Sequence, residues 1–315
     1  MRKIQMSTFN DTEELDIPQI EEDNEQVLGL LDRFSIPPMN KTAAEIFAAA
    51  TQPRFDHKIL ASRVEADPIL TSKIKSIYSP SYFNGRAQIP SIHQALYRLG
   101  PTGFCCVALE AHLEIELLDA DKRNNQWGKL IKNQHGFSKM LGHTARIISR
   151  LSGVQADLAY MGGLLHRVGS SIAILGHKEP QDPMEAQSLW DRLEPVQSIL
   201  CAKIAKEWQM PEVLQHALGN RGQVLYNNDP HALSAILLLA EDLLKEVGFI
   251  FDGPSGFAKK PRSNAAKQKN SEIPEVLLTT HSTRQEALDA LDLKLDQLSS
   301  FQRELHRVLK SSNLI

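Results

Sequence analysis

From Ile36 onward, apolar residues recur at spacings of three and four, and strict strand-like alternation bounded by turn dipeptides is absent. The first thirty residues are polar and acidic, with little periodicity before Val27-Leu28-Gly29-Leu30-Leu31, so residues 1–30 read as a mobile leader running into a short helix. After Ile36-Pro37-Pro38-Met39 the pattern predicts helix after helix. Ala44, Phe47, Ala48 and Thr51 share one helical face. Asp56 suits an N-cap for the segment carrying Ile59, Leu60 and Val64, and Asp67-Pro68 puts a capping carboxylate directly before a proline at the first helical position. Pro90-Ser91, Gly100-Pro101, Glu194-Pro195, Met210-Pro211 and Asp229-Pro230 repeat this punctuation ahead of further apolar patterns. The prediction is an all-α multi-helix bundle in two packed subregions, 31–118 and 126–248. The polar joint Asp119 to Asn125 is too short for two independent domains.

Past Gly248 the pattern changes. Residues 249–274 are rich in Gly, Pro, Ser, Lys and Asn and read as a flexible linker. Beyond it, within 275–315, Leu288, Leu291, Leu295, Leu298, Leu305 and Leu309 follow a heptad-like spacing interrupted at Gln302, which predicts a C-terminal amphipathic helix. Such a helix either packs back on the body or serves as a dimerising or partner-binding coiled coil; a homodimer through it is the second expectation.

Composition narrows the class without naming a function. The 315 residues are 42% hydrophobic and 23% charged, enough for a sizeable core. The net charge of -3 hides an acidic leader, with eight acids against Arg2 and Lys3, and a basic run of Lys259, Lys260, Arg262, Lys267 and Lys269. Such runs read as solvated tails or linkers, and the near-neutral total gives no general case for nucleic-acid binding. Cys105, Cys106 and Cys201 form neither a disulfide framework nor a zinc spacing. The N-terminus has no signal-like apolar run, and no window reaches about 18 uninterrupted apolar residues, so a cytoplasmic protein without membrane contact is expected.

Candidate chemistry gathers at two histidines. His143, in Leu141-Gly142-His143-Thr144-Ala145, and His166, in Gly163-Leu164-Leu165-His166-Arg167-Val168-Gly169, lie on successive helical segments separated by Ser152 to Asp157, a spacing that suits antiparallel neighbours with the rings facing each other. A hydrolytic metal needs three or more protein ligands and an open position, so two histidines are a weak site and fit a helix interface as well. His112, His177, His216 and His231 stand without ligand-type partners at helical spacing, and His135 stands near Gly136 at an expected helix start or break. Arg167 carries a fixed positive charge and donates without accepting, so it suits either a salt bridge or a phosphate-bearing ligand, with Arg146 as a second candidate for phosphate. Glycine-rich phosphate loops, Gly-x-Ser-x-Gly elbows and Cys-His-Asn sets are absent, and Ser170 and Ser171 give no case for a nucleophile.

Ordered blocks run along the chain: Ile36-Pro37-Pro38-Met39, Ala66-Asp67-Pro68-Ile69-Leu70, Ser79-Pro80-Ser81-Tyr82-Phe83, Ile89-Pro90-Ser91-Ile92, His143-Thr144-Ala145, the run Ala159 to His166, and Ala205-Lys206-Glu207-Trp208 through Pro211. Together they resemble the HDOD domain, the bacterial regulatory relative of HD-type metal phosphohydrolases, over roughly Arg33 to Gly248. The resemblance implies an aspartate where Arg167 stands, a histidine and a glycine where Gln197 and Cys201 stand, and paired histidines where Arg221-Gly222 stands. Only His143 and His166 then survive of the family's potential metal ligands. The implied protein is a non-catalytic bacterial signal-transduction module that binds no cofactor and no metal, acts through contacts with other signalling proteins, and has a degenerate cleft lined by His143, His166 and Arg167. Two alternatives stay open: a residual metal-dependent phosphohydrolase using His143 and His166 with Asp157, Glu194 or Asp191, and a phosphate- or nucleotide-sensing module that holds a small anionic ligand on Arg167.

Overall fold

The computed structural model describes residues 34–50, 56–77, 91–118, 126–258, 282–297 and 305. Among them are twelve α-helices: α1 (Lys41–Ala50), α2 (His57–Glu65), α3 (Pro68–Ile77), α4 (Ile92–Leu118), α5 (Gln126–Ser152), α6 (Ala156–Leu165), α7 (Val168–Leu175), α8 (Pro183–Leu193), α9 (Gln197–Glu207), α10 (Glu212–Gly219), α11 (Ala232–Glu246) and α12 (Arg284–Ala290). The all-α expectation holds. The acidic leader, the joint at Asp119 to Asn125 and the basic run from Lys259 lie outside the described residues.

Caps start these helices where the sequence places them. The Asp56 carboxylate accepts from the backbone amides of Lys58 and Ile59, and Asp67 accepts from Leu70 N at 2.9 Å with Pro68 in the first turn. Asp182 does the same for α8 ahead of Pro183. Each satisfies amide donors that the first helical turn leaves without partners. The face expected for α1 is corrected by one residue. Asn40 accepts from Thr42 N and Ala43 N and so fixes where the helix begins. Ala43 and Ile46 then face the core, while Ala44 and Ala48 are exposed.

Helices α1, α2 and α3 pack on α4, whose run from Gly103 to Leu113 is buried throughout. Gly100 at φ 69 followed by Pro101 kinks α4 near its start. The two halves meet through polar contacts inside an apolar joint. Glu110, buried in the middle of α4, accepts from Tyr160 Oη at 2.7 Å and pairs with Lys139 Nζ at 2.6 Å, while Glu114 pairs with Lys73 and Lys139. At a second joint the Trp208 indole donates to the Pro37 carbonyl at 3.0 Å. The Ile36-Pro37-Pro38-Met39 block is thereby tied to the end of α9.

In the second half α5 and α6 form a close hairpin under α11. The crossing needs glycine on both sides: a Cβ on Gly163 would lie 2.3 Å from Gly142 N, and one on Gly142 would lie 2.9 Å from Tyr160 O. Backbone therefore touches backbone where the two histidine-bearing segments cross. The stretch Ala156–Leu175 is long and apolar enough for a membrane crossing by length and composition, against the sequence expectation. It is mostly buried inside the fold and is divided into α6 and α7 by a turn at His166 and Arg167.

Two expectations for the C-terminal part need correction. Residues Phe249 to Ala258, read as linker, are ordered: β3 (Ile250–Phe251) pairs antiparallel with β4 (Phe257–Ala258) around a 3-10 turn, and Phe251 is buried. Gly253 makes this tight seat, since at φ 53 its Cβ would come within 2.6 Å of the Trp190 indole nitrogen. A second short pair, β1 (Leu225–Tyr226) and β2 (Asp229–Pro230), turns through left-handed Asn227 and Asn228. The leucine heptad does not form one helix from Leu288 onward. Helix α12 ends at Ala290, Asp292 adopts φ 53, and Leu293 N bonds back to Leu288 O. That turn brings Leu291 and Leu293 beside Ala287 and Leu288 against the body, while Leu295 is exposed. Leu298 and Leu309 lie outside the described residues.

Candidate functional site

His166 and Arg167 form the turn between α6 and α7, and polar residues of α9 hold it in place. Gln197 donates from Nε2 to the His166 carbonyl at 3.1 Å and accepts from Ser170 N at 3.0 Å; Cys201 Sγ accepts from Gly169 N at 3.3 Å. Gln134 of α5 bonds the hydroxyls of Ser170 and Ser171. Gln197 and Cys201 thus fasten the turn through its backbone.

Arg167 points inward. Only 4% of it is exposed, and its guanidinium carbon lies 5.0 Å from the ring centre of Phe251, 5.4 Å from Phe137 and 5.6 Å from Trp190. Ring faces favour a cation that has left water. Its Nη1 donates to Glu194 Oε2 at 3.0 Å, while its Nε is buried without a hydrogen-bond partner. The other oxygen of Glu194 lies 3.5 Å from Arg221 Nη1, and Arg221 Nη2 meets Glu241 Oε1 at 3.0 Å. Glu241 completes the series with His166 Nε2 at 3.6 Å and Lys245 Nζ at 3.6 Å. The order Arg167, Glu194, Arg221, Glu241 alternates in sign, with the arginine–glutamate bonds charge-assisted.

Local fields favour the charges on Glu194, Arg221 and Glu241, whereas burial and then Arg221 lower the pKa of Arg167. Burial opposes ionisation of Glu194 and Glu241, but the neighbouring guanidiniums outweigh it and hold both carboxyls below the ordinary glutamate value, Glu241 well below. Burial likewise works against the charge on Arg221, and Glu241 and Glu194 reverse the balance and raise its pKa. His166 is pushed down to about 4 by burial, with Arg221 adding repulsion, so it is neutral at pH 7.

His143 is buried with its ring 5.1 Å from Tyr160, and burial, then Arg146 and Lys139, lower its pKa to about 3. Arg146, a candidate for phosphate, instead pairs with Asp157 at 3.0 Å and lies over the Tyr160 ring. Of the three carboxylates considered for a metal, Asp157 therefore serves Arg146, Glu194 serves the two arginines, and exposed Asp191 accepts from Gln187. His112 packs edge-on against Trp208 and His177 bonds the Ala173 carbonyl. His216 meets Tyr226 edge-on and a tilted His231, with ring centres 3.9 and 4.6 Å away.

A divalent metal does not fit the donors at the His166 turn. Among the described residues no three His, Cys, Asp or Glu side chains converge as a ligand group. The carboxylates of Glu194 and Glu241 are already neutralised by guanidiniums that cannot ligate, and a dication set about 5 Å from each arginine would meet roughly 7 kcal/mol of repulsion per arginine at an effective dielectric near 20.

The HDOD domain family matches residues 36–223, more than half of the chain. The chain belongs to the HDOD family. Solved structures agree on the fold of this HDOD protein. An HDOD domain protein of unknown function from Geobacter sulfurreducens superposes with a TM-score of 0.62 at 16% identity, covering 93% of this chain and 99% of that one. A Marinobacter aquaeolei VT8 protein, provisionally named for signal transduction, gives 0.61 at 20% identity over 93% of this chain, which spans 65% of that protein's length. A Shewanella amazonensis SB2B protein, provisionally named a metal-dependent phosphohydrolase, gives 0.61 at 14% identity over 91% of this chain and 97% of that one. Curated proteins yield no match.

Sequence reasoning missed Glu241, the role of Arg221, and the aromatic wall. Glu241 had a signal: it falls on the same stripe of α11 as buried Leu237 and Leu244, where a lone acid needs a partner. Phe251 had none, because it sits in a Gly- and Pro-rich segment.

Proposed function

We propose that this HDOD protein acts without a hydrolytic step, as a bacterial cytoplasmic signalling or regulatory module that works through contacts with other signalling proteins. The observation that carries this reading is the ion-pair series through Arg167, Glu194, Arg221 and Glu241. Its two guanidiniums take up the carboxylates of Glu194 and Glu241, which supports a reading without a bound cation. His143 and His166 are each neutral and buried, which suits packing in the helix interfaces. No nucleic-acid or membrane partner is implied. A homodimer through the C-terminal segment has less support than packing on the body, since Ala287, Leu288, Leu291 and Leu293 are already buried there.

The test is metal content together with turnover of the full-length protein on phosphomonoester, phosphodiester and nucleotide substrates, with manganese, iron, zinc or magnesium added. The expected result is no turnover that depends on His166. Turnover abolished by His166→Ala in a protein that still folds would overturn the proposal.

A further inference from the structure

The ion-pair series is uneven in one respect. Its cations are more enclosed than its first anion. The Arg167 side chain is 4% exposed and that of Arg221 18%, whereas the Glu194 side chain, whose carboxylate they share, is 38% exposed. Arg167 is walled in by three rings and Arg221 is pinned by Glu241 on its far side. Glu194 is the C-cap of α8, where the helix dipole disfavours negative charge. Apart from the two arginines, no hydrogen bond is recorded for this carboxylate among the described residues.

The fit is also incomplete. One carboxylate spans two guanidiniums, with one contact of 3.0 Å and one of 3.5 Å, and it leaves Arg167 Nε buried with no acceptor. Buried donors without partners are uncommon and call for an explanation. A tetrahedral oxyanion offers more acceptor oxygens than a carboxylate and matches the planar donor forks of two arginines. Rotation of Glu194 into solvent would open the pair from the side on which the carboxylate now sits.

We propose that Arg167 and Arg221 form an oxyanion site for inorganic phosphate or the phosphate of a phosphomonoester, and that Glu194 is a built-in occupant which the ligand displaces. The inference rests on the non-hydrolytic reading of the cleft, because a bound phosphoester is held there and not cleaved. Displacing Glu194 frees the end of α8, and this would couple ligand to the surface that a signalling partner reads.

The test uses the full chain and inorganic phosphate, followed by calorimetry and by thermal unfolding against chloride at equal ionic strength. Wild type should bind phosphate weakly and saturably at one site. Glu194→Gln removes the tethered competitor and should bind at least about tenfold tighter. Arg221→Lys should weaken binding in either background. Adenosine monophosphate serves as a second probe: equal affinity assigns recognition to the phosphate alone, and tighter binding assigns it to a nucleotide. The proposal fails if phosphate stabilises no more than chloride, or if Glu194→Gln leaves the affinity unchanged. Should Glu194→Gln not fold, saturable binding by wild type that Arg221→Lys abolishes would carry the proposal, and no saturable binding by wild type would overturn it. Phosphate release from p-nitrophenyl phosphate, followed in the same samples, separates the two readings. His166-dependent release overturns the non-hydrolytic function, while absent binding overturns only the oxyanion site.

Discussion

Replacing Gly163 by alanine adds one methyl group where two helices touch through their backbones. Its Cβ would stand 2.3 Å from Gly142 N, 2.4 Å from Gly142 Cα and 2.7 Å from the Leu141 carbonyl carbon, whereas ordinary contact begins at 3.4 Å. None of these atoms belongs to a side chain that could swing aside, so α5 and α6 must part by about 1.1 Å along the shortest of these contacts. A gap of that size forfeits about a quarter to a half of the dispersion energy at each contact it opens. Inserting a methylene into a packed core costs about 1–3 kcal/mol when side chains adjust, and here backbone has to move. Alanine is intrinsically the better helix former by about 1 kcal/mol, which offsets part of the loss. The expected net destabilisation is about 3 kcal/mol. Gly136→Ala on α5 is the control, since no heavy atom lies within 4 Å of its added Cβ, and it should stabilise by about 0.5–1 kcal/mol. Urea unfolding of the full chain, compared at equal m, reads both changes. A Gly163→Ala protein within about 1 kcal/mol of wild type would refute the backbone contact. Equal losses at both positions would show that the effect is not specific to the crossing.

Acid should begin to destabilise the fold through its buried histidines. His112, His135 and His166 are lowered to about 4 and His143 to about 3, with burial the leading cause in each. Above the ordinary histidine value of 6.5 their contribution is fully present. As pH falls toward 4 the unfolded chain takes up protons that the folded one refuses, at up to about 1.4 kcal/mol per pH unit per histidine; stability that stays flat from pH 7 to 5 would contradict this. Glu241→Gln strips Arg221 and His166 of their shared acid and should cost about 3–5 kcal/mol. By contrast Arg284→Ala, whose partners Asp242 and Glu246 are 29% and 38% exposed, should cost under about 1 kcal/mol in the same unfolding assay. Trp208→Phe removes the bond to Pro37 and should cost about 1 kcal/mol, with backbone amide exchange rising first around Ile36 to Met39.

The helical fold was legible because caps and periodicity act within a few residues. Asp56, Asp67-Pro68 and the apolar runs of α5 and α11 each state their own element. The hairpin carrying His143 and His166 could be read from the six residues Ser152 to Asp157 between the two segments. The alternatives for Arg167 could be read too, because an arginine after His166 in an apolar run needs either a carboxylate or an anionic ligand. Which partner it meets could not be read, because Glu194, Arg221 and Glu241 come from three further segments of the second half. The order of Phe249 to Ala258 was hidden for a related reason. Its stability comes from Gly253 lying on Trp190 and from Phe251 beside Phe137, contacts that local composition does not record. The C-terminal leucines misled because a left-handed turn at Asp292 buries one stripe with a different spacing from the one a straight helix presents.

The carboxylate shared by Arg167 and Arg221 also bears on how the cleft can change over generations. Each arginine is tolerable in this interior because Glu194 lies between them and offsets their mutual repulsion, and Glu194 is tolerable at the end of α8 because both are there. An aspartate at position 167 alone would stand near Glu194 with Arg221 as their nearest common cation, so that substitution is penalised. Replacing Arg221 first leaves Glu241 and His166 without their guanidinium. The three residues therefore form an epistatic unit, in which a change at one position is tolerated only with changes at the others.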